Sequence, residues 1–162
     1  MSLLVIAMLL GMQKTDTVPS LFDKPVGEFA DRKSDDPVER LTLDQLLRLS
    51  SLPPARIAEM KCAGLTGWAG AQDMPALALD EPQRKAFVDK IVAATARDTE
   101  IDPALIAAVV VHYADEPDYR KQQGEWAAYD AEIQRDCAPM IAAVKAGAFE
   151  PSAAVPEGAP SK

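Results

Sequence analysis

Proline and helix-capping residues interrupt an alanine-rich chain at short intervals, which restricts the fold to short helices. Alanine has the highest intrinsic helix propensity and occurs 28 times, whereas proline, which ends or opens a helix, occurs 13 times. Aromatic residues make up only 6% of the chain. These features predict an all-α fold, an irregular or orthogonal bundle of four to five helices.

Capping patterns mark where three of these helices should begin. Thr42 is followed by Gln45, and Asp80 by Gln83, each at the spacing of a capping box. Asp102 directly precedes a proline, which suits the first turn of a helix. We therefore expect a helix to begin after each of the three cap residues.

The remaining helical segments are defined by apolar periodicity. A helix is predicted over 54–71, weakened in its second half by three glycines. The helix after the third cap is apolar all round at 104–111, which is typical of a buried central element, although its valines also fit a strand. A long last helix should begin near 116–118 and be kinked or ended by Pro139.

The two ends of the chain differ in composition from the middle. Residues 1–20 contain an apolar run at 3–12 that is too short to span a bilayer and suits a signal peptide, with a short apolar anchor or a buried first helix as alternatives. Residues 21–40 are predicted to be a linker, and residues 150–162 a disordered Pro/Ala-rich tail. The helical domain is therefore predicted over 41–149.

The chain is acidic, and its charge bears on the choice of partner. Its formal net charge is −8, with 17 basic and 25 acidic residues. A surface of that sign repels phosphate backbones and anionic membrane surfaces, so we expect no nucleic-acid partner. Membrane association is expected only through residues 3–12, if that segment is not cleaved.

Cys62 and Cys137 are the only cysteines, and each is predicted on a helix at or beside its apolar face. In an exported protein a disulfide between them is the simplest interpretation, whereas two separate buried thiols would be expected in the cytosol. The absence of a Cys-x-x-Cys pattern disfavours a redox enzyme, and two cysteines with one histidine are too few for a zinc site. No cofactor is predicted.

His112 is the only histidine, and it follows the apolar helix. With a nearby carboxylate it would be a candidate general base, but a histidine that simply ends a helix is favoured by the helix macrodipole. Around Pro117, Asp115, Glu116 and Asp118 lack the ligand order of a calcium-binding loop and are more typical of residues that cap a helix. No metal site is predicted.

Four aromatic residues are candidates for an interaction patch: Trp68, Trp126, Tyr119 and Tyr129. At helical spacing such residues usually belong to the core, but if several are exposed together they indicate a partner or ligand surface. Trp68 lies in a glycine-rich stretch, 64–70, that lacks the lysine of a phosphate-binding loop and predicts close packing or a helix end.

These observations favour a non-enzymatic, exported helical domain, periplasmic or secreted, that acts as an accessory or protein-interaction module for another envelope protein. One alternative is a disulfide-stabilised periplasmic stress chaperone or carrier of small hydrophobic ligands. A second alternative is an enzyme that uses His112 with a nearby carboxylate. The alternative to a periplasmic or secreted location is association with a membrane through residues 3–12.

Overall fold

The structure, a computed structural model, describes residues 37–153, with side chains from residue 39 onward. Within that range the chain is mostly helical and contains no β-strand, so the prediction of an all-α fold is confirmed. The predicted signal peptide over 1–20 lies outside the described residues. So do residues 21–36 of the predicted linker and residues 154–162 of the predicted tail.

α-Helices of 7 to 19 residues follow one another along the described range. In chain order they are α1 (Leu43–Ser50), α2 (Pro54–Leu65), α3 (Glu81–Thr99), α4 (Pro103–His112), α5 (Glu116–Gln122), α6 (Trp126–Asp136) and α7 (Ala138–Lys145). Single turns of 3-10 helix occur at Pro37–Arg40, Ala71–Asp73 and Tyr113–Asp115.

The predicted capping residues begin their helices. The Thr42 hydroxyl accepts the Gln45 N–H at 3.2 Å while the Gln45 side chain accepts the Thr42 N–H at 2.9 Å, a complete capping box for α1. Asp80 and Gln83 form the same reciprocal pair at the start of α3. The Asp102 carboxylate accepts the N–H of Ala104 at 2.7 Å, which satisfies a free donor at the start of α4.

Two predicted helix boundaries were wrong, and glycine is involved in both. The helix predicted over 54–71 ends at Leu65, in the half that its glycines were expected to weaken, with Gly64 inside the helix and Gly67 and Gly70 beyond it. The long last helix ends near Pro139, as predicted, but it is also interrupted between Gln122 and Trp126, so that α5 and α6 replace one predicted helix. Gly124 takes a left-handed φ of 75° between α5 and α6, a conformation that costs glycine little and stops helix propagation.

Helix α4 was predicted to be buried all round, and this was also wrong. Of its residues only Ile106 and Val110 are fully buried, and Val111 is 64% exposed. The helix packs on α2 and α3 with one side, while its other side lines an open cleft. Its approach to α2 depends on Gly64, where a Cβ atom would overlap the carbonyl oxygen of Val110.

Helix α2 is central to the domain because it packs against α3, α4 and α6. Buried side chains from these helices form one continuous apolar core, in which Leu65, Ile91, Ile106 and Val110 have no exposed surface. The chain after α7 also packs here, with the Phe149 ring edge-on to Phe87 at 4.8 Å between ring centres. Helix α2 therefore lies at the centre of the core and carries Arg56, Lys61 and Cys62.

Candidate functional site

Trp68 lies in the turn that follows α2, within the glycine-rich stretch 64–70. The backbone N–H of Trp68 donates to the Leu65 carbonyl at 3.1 Å, which continues the last turn of the helix. Gly70 packs directly against the indole, since a Cβ at that position would overlap the six-membered ring of Trp68. The indole N–H donates to Asp118 Oδ1 at 3.1 Å, so the ring is held from two sides.

Trp126 and Tyr129, in the first turn of α6, complete an aromatic cluster with Trp68. The two indole ring centres are 5.6 Å apart and their planes are inclined by 47°. The Tyr129 ring centre is 6.3 Å from that of Trp126. We call Trp68, Trp126 and Tyr129 the aromatic cluster. Trp68 and Tyr129 are buried, whereas Trp126 is partly exposed.

The Lys121 ammonium lies over both indoles of this cluster. Its Nζ is 4.2 Å from the ring centre of Trp68 and 4.5 Å from that of Trp126. Both distances are within the range of a cation–π interaction. We call this inclined pair of indoles the tryptophan wedge. Lys121 is exposed, and within residues 37–153 it makes no ion pair with a carboxylate.

Charged residues surround the third aromatic ring. Lys61 on α2 lies 2.8 Å from a Glu132 oxygen and 3.6 Å from a Glu116 oxygen, and its Nζ is 4.7 Å from the Tyr129 ring centre. Arg120 pairs with Glu116, and its guanidinium carbon lies 5.4 Å from the centre of the same ring. Burial raises the pKa of the Tyr129 hydroxyl, and the carboxylates of Glu116 and Glu132 raise it further.

The structure brings together three of the four aromatic residues predicted to form a patch. Tyr119 is 59% exposed on α5 and, among the described residues, makes no ring contact with the other three. The sequence did not indicate Lys121, because no helical spacing relates it to Trp68, which lies 53 positions earlier in the chain.

The two cysteines lie at disulfide distance, Cys62 within α2 and Cys137 between α6 and α7. The sulfur atoms of Cys62 and Cys137 are 2.07 Å apart, with the α-carbons at 5.4 Å. Both residues are buried at 1% exposure. The bond joins α2 to the residue between α6 and α7, in agreement with the predicted pairing.

A buried ion cluster, which the sequence analysis missed, lies at the other end of α2. Arg56, 1% exposed, pairs with Glu59 at 2.9 Å and approaches an Asp98 carboxylate oxygen to 3.1 Å. Its guanidinium also donates to the carbonyl of Ser152, and the Ser152 N–H donates to Glu59 at 2.8 Å. The i,i+3 spacing of Arg56 and Glu59 was the available signal.

This ion cluster also defines how far the domain extends. Ser152 lies in the segment predicted as tail, yet its backbone N–H, carbonyl and hydroxyl all take part in hydrogen bonds with Arg56 or Glu59. Lys90 binds the Phe149 carbonyl and the Glu150 carboxylate just before it. The packed domain therefore continues at least to residue 152.

Open clefts flank α3 on two sides. One, of about 270 Å³, has an apolar floor that includes Gly64, Val88 and Val111 and a rim of charged residues from the start of α3. The other, of about 300 Å³, lies between Phe87 and Phe149 and the end of α7. Both are large enough to receive a small apolar group.

His112 ends α4 and is exposed. Among the described residues it makes no hydrogen bond or ion pair with a carboxylate. Asp118 accepts the indole N–H of Trp68, and Glu116 pairs with Lys61 and Arg120, so both residues contact the aromatic cluster or its charged neighbours. The prediction that the acidic residues around Pro117 cap a helix was wrong, because α5 begins without a side-chain capping hydrogen bond. Across the same residues, no three His, Cys, Asp or Glu side chains gather in an arrangement that would bind a metal ion.

Comparisons of the chain with models of protein families, with curated proteins and with solved structures gave no match. Among the helices of residues 37–153, none combines the length and the apolar character needed to cross a membrane.

Proposed function

We propose that the protein is an exported, non-enzymatic helical domain that binds another molecule through its aromatic cluster. The observation that carries the proposal is the Cys62–Cys137 pair, whose sulfur atoms lie at bonding distance inside the core. Disulfides persist in oxidising compartments such as the periplasm and are rare in the reducing cytosol. The apolar run at residues 3–12 supports the same proposal, because its length suits a secretory signal peptide.

The aromatic cluster supports a role in binding. Tryptophan and tyrosine are enriched in binding hot spots because they offer large, rigid and partly polar surfaces. Here Trp126 is partly exposed beside the exposed Lys121, and Trp68 is bound to the exposed Asp118, so a partner meets apolar and charged groups together. The net charge of −8 favours a partner that presents a positive charge.

Export is tested with a reporter enzyme that is active only after its own disulfides form. Residues 1–40 are fused to alkaline phosphatase lacking its signal sequence and expressed in a Gram-negative host. We expect active phosphatase from the fusion. A matched control carries Val5→Asp and Leu9→Asp, which interrupt the apolar run and should abolish the activity. Equal activity from the two fusions would contradict export through this segment.

A carrier of small hydrophobic ligands is the second candidate, favoured by the cleft between α2, α3 and α4. Val111 is 64% exposed there, although valine gains free energy when it is buried. A fluorescent apolar dye should bind the native protein, and Val111→Asp should weaken that binding while the charged rim is kept. Dye binding that is equal in both proteins would remove this candidate.

A further inference from the structure

We propose that the tryptophan wedge is a binding site for a quaternary ammonium group, and that Lys121 occupies it when no ligand is bound. The inference names the ligand chemistry of the aromatic cluster and so deepens the proposed binding role. Its test uses purified protein, so a failure there is distinguishable from a failure of the export experiment.

The geometry of the wedge is that of a cation site. One ammonium nitrogen lies at nearly equal distances, 4.2 and 4.5 Å, from the faces of two indoles whose planes are inclined by 47°. Tryptophan is the aromatic side chain that binds cations best, and aromatic cages of this kind recognise choline-like groups. The Lys121 ammonium therefore shows where a ligand cation would lie.

Contacts that do not involve Lys121 hold the two indole rings of the wedge in place. Trp68 is 8% exposed, packs on Gly70 and donates its indole N–H to Asp118. Trp126 also contacts Tyr129, a buried residue of its own helix. The two faces are therefore preformed, which reduces the ordering cost of binding a ligand.

Lys121 itself is weakly held. It is exposed and, within the described part of the chain, is paired with aromatic faces rather than with a carboxylate. A primary ammonium is strongly hydrated, so it loses little on returning to water. A quaternary ammonium has no N–H to hydrate and therefore gains more from two indole faces, while the exposed carboxylate of Asp118 adds a favourable charge nearby.

Intrinsic fluorescence reports on this site alone, because Trp68 and Trp126 are the only two tryptophans in the chain. Choline is titrated into the full chain, with its neutral isostere 3,3-dimethyl-1-butanol in a parallel titration. We expect choline to change the tryptophan emission and the neutral alcohol to have little effect. An equal response to both compounds would overturn the proposal, because it would indicate a merely apolar site.

Variants of the lysine test its role as the resident occupant. Removing an exposed cation–π competitor with Lys121→Ala should tighten choline binding by about two- to five-fold. The control Lys145→Ala, which removes an exposed lysine in the last turn of α7, should leave the affinity unchanged. Trp126→Leu should abolish binding, with helix content checked by circular dichroism. No choline response in either the wild type or Lys121→Ala would overturn the proposal.

A quaternary ammonium reaches such a site either as a free solute or as a lipid headgroup. Vesicles of phosphatidylcholine, compared with vesicles of phosphatidylglycerol, distinguish these sources. A fluorescence response to phosphatidylcholine vesicles alone would assign the headgroup, and a response to choline but to neither vesicle would assign the free solute. Preference for phosphatidylglycerol would contradict a site selective for cationic groups.

Discussion

Two cations near the two ends of α2 are held in opposite ways. Arg56 is buried, paired with Glu59 and Asp98, and fastened to the backbone of Ser152. Lys121 is exposed and lies against two indole faces. The first arrangement fixes the chain, because the buried guanidinium is bound by two carboxylates and a backbone carbonyl in place of water. The second leaves the cation free to exchange with water or with a ligand.

The difference distinguishes a region that stabilises the fold, the buried ion cluster, from a region that we propose binds a ligand, the tryptophan wedge. At the buried ion cluster the carboxylates and the guanidinium compensate one another, so a substitution there should be read as a loss of stability. At the tryptophan wedge the aromatic faces are fixed and their occupant is not, so a substitution of the occupant should be read as a change in binding. The predictions below test this separation, in order of decreasing effect.

Removing the disulfide should destabilise both regions, because it anchors α2. That helix contains Arg56 and Glu59 of the ion cluster, and Trp68 of the wedge follows directly after it. Cys62 and Cys137 are 75 positions apart, and closing a loop of that length corresponds to about 4.5 kcal/mol in the chain-entropy model. We expect Cys62→Ala with Cys137→Ala to lower the free energy of unfolding by up to this amount in urea denaturation. A reductant should destabilise the wild type and leave the double variant unchanged.

Replacing the buried arginine sharpens the comparison directly. Arg56→Met leaves the buried Glu59 without its cation and Asp98 with only the exposed Arg97, and it should cost about 3–5 kcal/mol of stability. Lys121→Met, the equivalent change at the exposed cation, should cost only about 0.5–1 kcal/mol. The two variants are compared by urea denaturation in one buffer. Equal losses would break the distinction between a fixed and an exchangeable cation.

Gly70→Ala should disturb the wedge while sparing the ion cluster. The added methyl group overlaps the Trp68 ring, and overpacking of this kind costs about 1–3 kcal/mol. We expect a shifted tryptophan emission and weaker choline binding. At Gly67 an added Cβ would approach the nearest atom only to 3.2 Å, so Gly67→Ala is the milder control. A wild-type emission spectrum in Gly70→Ala would show that the wedge does not need this glycine.

The smallest effect should appear at alkaline pH. Burial raises the pKa of both Tyr113 and Tyr129 above the ordinary tyrosine value, with Glu116 adding to the effect. The fold therefore favours the neutral phenols, and this stabilisation is complete below about pH 10 and is lost as the pH rises through the folded-state values. A spectrophotometric titration should show tyrosines that ionise only at higher pH, and Tyr129→Phe should remove one of them.

The parts of the fold that depend on neighbouring residues were predictable from the sequence. Thr42, Asp80 and Asp102 cap helices through hydrogen bonds to residues two or three positions later, so the local pattern contained all the necessary information. The pairing of Cys62 with Cys137 was also predictable, because two cysteines allow only one intramolecular disulfide.

The parts that depend on distant residues were not predictable in the same way. The ion cluster combines Arg56 with Asp98 and Ser152, which come from α2, α3 and the C-terminal segment. No periodicity within one helix relates such positions. The same holds for Lys121, which lies on α5 and contacts Trp68 from 53 positions later in the chain. Break points such as Gly124 were missed because apolar spacing continued across them.

Mapping of the sulfur atoms tests the central claim, which is that α2 is covalently joined to the end of α6 in an oxidising compartment. The full chain is expressed in a Gram-negative host, recovered from the envelope fraction, and alkylated under denaturing conditions without reductant. We expect no alkylation and a cross-linked peptide that contains Cys62 and Cys137. Recovery from the cytosol with both cysteines alkylated would contradict it.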